Sequence, residues 1–372
     1  MASNNVTSST LGGLLSSFGA LFVTYLVFSG VVVPDLVNKG LVEGNAIKSG
    51  RYAVTFPGIE TIAEQDSDAI VTIGSSILQY ATDGECITNR LTTSNTKVYN
   101  LAISGGNPYT EMIQIPALVK AQPKMVLLDL GPNSLWNFYE SESLDEYIQF
   151  RFTILSITSD LQSVDEWKHL LRPQDKNYTA YSIHDRSTLT KSYSQIAIDN
   201  LILKYSHEYF PFSYYNRNMP EIGSEAWEEY LQTPTFMPPK FETWNQSEVD
   251  TWFEENMAQK TRAGVYNPLP NGTLNHQALD YTIQAFTEAG IQVVMVAAPH
   301  HPLVYDYLQP GQIDGHNATL EYFEETYGAS TINWYWETWE QDMFRDRNHL
   351  GDNGREYYCE RMAAELNQML EV

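Results

Sequence analysis

Short apolar runs closed by small or polar residues recur along this chain. Between them lie stretches in which apolar positions return every three or four residues. Ala69-Ile70-Val71-Thr72-Ile73 runs into Gly74-Ser75-Ser76. Val98-Tyr99-Asn100-Leu101-Ala102-Ile103 runs into Ser104-Gly105-Gly106, and Met125-Val126-Leu127-Leu128-Asp129-Leu130 into Gly131-Pro132-Asn133. Ile291 to Ala298 ends at Pro299-His300-His301, and Thr331–Trp336 reads as a last short strand. Runs of this length bounded by glycine or proline predict buried parallel strands. Helical spacing after Ser76 to about Cys86, over Glu111–Ala121, over His276–Ala289 and over Gly354–Leu370 supplies the crossovers. Strand, helix, strand, helix at this spacing predicts a parallel α/β sheet.

Residues 136–275 break the alternation. They are polar, aromatic and helix-leaning, and Pro234, Pro238, Pro239, Pro268 and Pro270 interrupt them. This segment reads as an insertion capping one edge of the sheet. Trp227, Tyr230, Trp244, Trp252 and Phe253 suit either stacking on sugar rings or a core for the cap itself.

The N-terminus carries no charged side chain before Asp35, and Leu11 to Val33 is almost wholly apolar or small. That length suits a membrane-crossing helix. A cleaved signal peptide is the alternative, but the positive n-region and a clear cleavage site are both missing. The reading is an anchor over 1–37, a linker and entry segment over 38–65, and one catalytic domain over 66–372 that carries the 136–275 insertion. Lys39, Lys48 and Arg51 after the span would, by the positive-inside rule, put the domain inside. Sequons beginning at Asn5, Asn177, Asn245, Asn271 and Asn317 favour the outside. The expectation is a single-pass protein of the cell membrane with an extracytoplasmic, glycosylated domain.

Charge narrows the partners. With Lys and Arg totalling 22 against 46 Asp and Glu, the net charge is −24, which excludes a protein built to bind a phosphate backbone. No Gly-rich phosphate loop and no metal-ligand spacing is present, so neither a metal nor a cofactor is expected.

The candidate chemistry gathers at strand ends, because an open parallel sheet collects them along one edge. Ser76 stands where the first strand gives way to a helix. The N–H groups of Ser76 and Gly105 and the side-chain amide of Asn133 suit one developing oxyanion. Asp346 and His349, three residues apart just before the final helix, suit an orienting carboxylate and a base. Ser75 is the rival nucleophile. His300 and His301, at the same edge, are candidate substrate contacts or merely loop histidines with local hydrogen bonds.

The blocks Gly74-Ser75-Ser76, Asn100 to Gly105, Gly131-Pro132-Asn133 and Asp346 to Arg355 stand in the order seen in the SGNH (GDSL-like) hydrolase and acyltransferase superfamily, which this chain resembles over 66–135 and 285–372. The resemblance implies a three-layer α/β/α sandwich with a flavodoxin-like parallel sheet. It implies Ser76 as nucleophile, Gly105 and Asn133 as oxyanion donors, and His349 with Asp346 as base and orienter. Two departures stand out: Ser75 replaces the aspartate of many members, and no aspartate follows Asn133. In such a fold the helices carrying Cys86 and Cys359 flank one face of the sheet, and a disulfide between them is expected. The activity implied is an esterase or O-acyltransferase acting on O-acylated glycans or lipid-linked saccharides. A membrane-bound acyl-transfer protein would be its partner. A non-catalytic glycan-binding or envelope-organising module is the alternative.

Overall fold

The computed structural model describes residues 5–27, 52–65, 68–131, 164–173, 175, 220, 222–233, 240–260, 273–308 and 311–371. The first helix, α1 (Asn5–Val27), has no charged side chain, and its apolar side chains from Leu14 to Val27 are exposed. Ser, Thr and Gly dilute it. Among the described residues, no helix is long and apolar enough to cross a membrane.

The second half of the segment read as linker and entry, from Tyr52, is helical. Helix α2 (Tyr52–Ala63) buries Val54, Phe56, Ile59 and Ile62 in the main core. Tyr52–Ala63 therefore enters the domain as a packed element.

Next come β1 (Asp68–Ile73), the short helices α3 (Ser76–Ala81) and α4 (Gly84–Thr88), and β2 (Thr96–Asn100). The single helix expected to Cys86 is split, because Asp83 caps a new one by accepting from the Cys86 N–H at 3.0 Å. The helix expected over Glu111–Ala121 is likewise α5 (Pro108–Glu111), a 3-10 turn, and α6 (Ile115–Ala121). Pro116 cannot donate into a continuous ladder. β3 (Met125–Asp129) follows.

Within 136–275 the described helices are α7 (Val164–Trp167), α8 (Glu225–Gln232) and α9 (Gln246–Lys260). The chain then returns to the sheet through α10 (Leu274–Glu288), β4 (Gln292–Ala297), α11 (Gln312–Tyr327), β5 (Ser330–Asn333) and the final α12 (Asp352–Leu370). α11 is a crossover the periodicity left unread. Its core side chains, Leu320 and Phe323, are diluted by glutamates and tyrosines.

All strand pairs are parallel and the order is β2-β1-β3-β4-β5, the doubly wound order of a flavodoxin-like sheet. Strand alternation divides the core. Val71, Ile73, Val126, Leu128, Val293 and Met295 face α2, α6 and α10. Ile70, Met125, Leu127, Val294 and Val296 face α3, α4 and α12. Buried on both faces, these strands need apolar residues at successive positions, which is the pattern of the runs.

Trp227 belongs to the main core and donates from Nε1 to Thr61 Oγ1 at 2.9 Å. Phe241, Phe253 and Met257, with Trp244 and Trp252 against them, form a separate cluster. The cap aromatics are thus largely structural.

Cys86 on α4 and Cys359 on α12 form a disulfide, with Cα atoms 6.2 Å apart and a sequence separation of 273. The sequons divide. Asn245 is exposed. Asn317 Oδ1 accepts from Trp336 Nε1 at 3.1 Å, and Thr319 of the same sequon is fully buried, so that site is closed in the folded domain. Asn177 and Asn271 lie outside the described residues.

Candidate active site

β1 ends at a sharp elbow. Gly74 has φ +139°, and a Cβ there would lie 2.1 Å from the Cβ of Asp129. Only glycine tolerates both the angle and the approach. Ser75 is extended and caps α3, its Oγ accepting from Ile77 N–H at 3.2 Å. Its N–H donates to Asp129 Oδ2 at 3.0 Å, and its hydroxyl makes a short hydrogen bond to the same oxygen. Ser75 is therefore committed to structure. Ser76, the first residue of α3, is the serine whose hydroxyl faces the loop that carries Asp346 and His349.

The Oγ of Ser76 lies 2.9 Å from His349 Nε2. His349 Nδ1 lies 2.9 Å from each carboxylate oxygen of Asp346. A proton held on Nδ1 by the carboxylate leaves Nε2 as the acceptor for the serine hydroxyl. Asp346 Oδ1 also accepts from the backbone N–H groups of Asn348 and His349 at 3.1 and 3.0 Å. Burial by itself pushes this carboxyl's pKa up. The hydrogen bond and charge of His349, with the two N–H groups, outweigh burial and hold it well below the usual carboxylate range. Asp346 is thus anionic under ordinary conditions.

The exit from β2 brings Gly105 alongside. Leu101 N–H donates to Thr72 O at 2.9 Å and Ile103 N–H to Gly74 O at 2.8 Å, so the pairing runs on to the elbow. Gly105 then turns back with φ +68°, and Gly106 packs so tightly that a Cβ would lie 2.5 Å from Gly74 O. Among the described residues, no acceptor takes the N–H of Ser76 or of Gly105. Two donors of the expected oxyanion site are thus on adjoining turns. The third, Asn133, lies outside the described residues.

Two supporting roles, those of Asn100 and Asp129, were not assigned from the sequence. Buried Asn100 donates from Nδ2 to Gln79 O at 3.0 Å and Thr82 O at 2.7 Å, tying the end of α3 to β2. Asp129 holds the elbow through Ser75 and also accepts from Gly131 N–H at 3.3 Å. The signal available was an aspartate inside an otherwise apolar strand run, a burial that requires a partner.

Residues of the 136–275 segment also grip the loop that carries Asp346 and His349. Phe241 N–H donates to Arg345 O at 2.8 Å, and Asp352 N–H to Glu242 Oε1 at 2.9 Å. The Tyr80 ring meets the His349 ring edge-on at 5.3 Å.

His300 and His301 are only 3% and 1% exposed. His301 packs against Phe253, Phe241 and Phe344, and its N–H donates to Arg347 O at 3.0 Å. Burial lowers its pKa to about 4, and that of His300 to about 3. The expectation that these two meet substrate gives way here. Both are neutral core rings behind the loop, and His301 fixes the loop's backbone. Among the described residues, no cluster of His, Cys, Asp and Glu is arranged to hold a metal ion.

No protein-family model and no curated protein matches this sequence. The chemistry of the site is therefore read from its own geometry.

Proposed function

We propose that this chain is a serine-dependent enzyme of acyl esters, an esterase or O-acyltransferase of the SGNH type. The carrying observation is the relay from Ser76 through His349 to Asp346, all at hydrogen-bond distance. His349 takes the proton as Ser76 Oγ attacks the acyl carbonyl. The N–H groups of Ser76 and Gly105 receive the oxyanion; a single donor of this kind typically contributes about 3 kcal/mol to the transition state. On collapse the leaving alkoxide takes the proton from His349, and an acyl-enzyme remains on Ser76. Water, or a saccharide hydroxyl deprotonated by His349, then attacks that ester and frees Ser76.

The proposed substrates are O-acylated glycans or lipid-linked saccharides outside the cytoplasm. α1, with apolar side chains exposed all round, is the proposed anchor to the cell membrane, and a membrane-bound acyl-transfer protein is the proposed partner. The Cys86–Cys359 disulfide supports an oxidising compartment. A non-catalytic glycan-binding module is the rival, and the intact relay speaks against it.

A fluorophosphonate probe tests the proposal. Covalent labelling of the wild type, absent in Ser76→Ala, is the expected result. An unlabelled wild-type protein overturns it. Product analysis with acyl donors, with and without saccharide acceptors, separates hydrolysis from transfer.

A further inference from the structure

Arg347 sits inside the catalytic loop, between Asp346 and His349, and is half-buried. Its Nε–H donates to Asn348 Oδ1 at 2.9 Å, and Nη1 approaches the weak acceptor Met257 Sδ at 3.7 Å. Among the described residues, it has no carboxylate within ion-pair distance. Arg172, Arg345, Arg355 and Arg361, by contrast, each reach an Asp or Glu. In a chain with 46 acidic against 22 basic residues, this guanidinium feels the charge of Asp346 but is not closed off by a direct ion pair among the described residues, so its fork stays open to an anion.

The position is telling. The charge of Arg347 acts on the buried His300 behind the loop, and the guanidinium lies in the same loop as Asp346 and His349. Its remaining N–H groups are not among the buried donors left unsatisfied, so they open toward solvent. A guanidinium fork matches planar carboxylate and phosphate groups, and holds them with charge-assisted hydrogen bonds. The rest of this acidic surface repels anions. A local cation at the site reverses that for one group placed against it.

We propose that Arg347 anchors an oxyanion group carried by the acylated saccharide, so that the substrate is an acidic or phosphorylated glycan rather than a neutral one. This rests on the acyl-transfer reading of the same site and narrows its substrate class.

The test uses Ser76→Ala protein, which binds without turnover, and isothermal titration with three acetylated sugars. These are methyl 3-O-acetylglucoside, 3-O-acetylglucuronate and 3-O-acetylglucose 1-phosphate. At least one anionic sugar should bind about tenfold more tightly than the neutral one, with the preference shrinking as salt rises. The preference should vanish in Ser76→Ala/Arg347→Met and survive in part in Ser76→Ala/Arg347→Lys. The sugar that wins distinguishes carboxylate from phosphate. Thermal melts establish that each variant is folded, and Arg347→Gln replaces Arg347→Met if that variant is not. Failure of both anionic sugars to bind above the neutral one overturns the proposal. So does a preference that persists without the guanidinium. Wild-type turnover is read separately. Anion-selective binding without acetyl release sinks the acyl-transfer reading alone, and acetyl release without anion preference sinks the anchor alone.

Discussion

Ser75 and Ser76 are neighbours in sequence with opposite fates: the hydroxyl of Ser75 turns down to Asp129, and that of Ser76 turns out to His349, 2.9 Å away. Ser76→Ala should abolish fluorophosphonate labelling and ester turnover. Ser75→Ala should keep labelling but lose a helix cap and a charge-assisted hydrogen bond, lowering stability by about 1–2 kcal/mol. Labelling stoichiometry and denaturant melts measure the two effects. The opposite pattern would reassign the nucleophile.

Gly74→Ala should be among the most damaging single changes. The added methyl would meet Asp129 at 2.1 Å, and the φ of +139° is one that alanine rarely adopts. A loss of roughly 3 kcal/mol or more is expected, with labelling lost alongside. A melting curve matching the wild type would show that the elbow relaxes freely.

Buried neutral histidines make the fold acid-sensitive. His316, fully buried with Nε2 at 2.8 Å from Leu130 O, has its pKa lowered by burial to about 4; His301 is also at about 4 and His300 at about 3. Each would titrate near 6.5 when unfolded. The unfolded chain therefore binds more protons between those values, and stability falls as pH drops through that window. Melting temperature should be flat above about pH 7 and decline steadily toward pH 4. His316→Gln, which keeps a donor for Leu130 O, should flatten part of the decline. An unchanged slope would remove His316 from the account.

Reducing the Cys86–Cys359 bridge should leave the hydrophobic core in place but destabilise the domain. A cross-link of such sequence separation is typically worth about 2–5 kcal/mol. Melts of the wild type with and without reductant, against Cys86→Ser/Cys359→Ser, measure it. The double mutant should ignore reductant. Intact mass should fall by two hydrogens on oxidation of the wild type only.

The cap's grip on the loop has its own test. Glu242→Ala removes the acceptor of Asp352 N–H and opens space against Gly351. It should lower turnover several-fold by loosening His349, with a smaller effect on binding of substrate to Ser76→Ala protein. Equal losses in binding and turnover would place Glu242 in substrate contact instead.

The parallel sheet was legible because its strands are buried on both faces and so write continuous apolar runs between glycines. Gly74, Gly105, Asp346 and His349 could be picked out because turn chemistry and short spacing are local properties. Pro116 and Asp83 break helices that apolar periodicity alone would continue, the one by lacking an N–H and the other by capping a new turn. α2 and α11 were missed because their core-facing residues are interspersed with polar ones, which blur the apolar periodicity.

The order of strands along the chain, the elbow glycine and the carboxylate three residues before a histidine follow from the sequence, since each depends on near neighbours. Which of two adjacent serines faces His349, that His300 and His301 are walled in, and that Arg347 has no carboxylate within ion-pair distance among the described residues were decided by tertiary packing. Those outcomes turn on what arrives from distant segments: Asp129 under Ser75, Phe241 and Phe253 around His301, and Met257 against Arg347. Contacts of that kind depend on how the layers close in space, and no spacing along the chain encodes them.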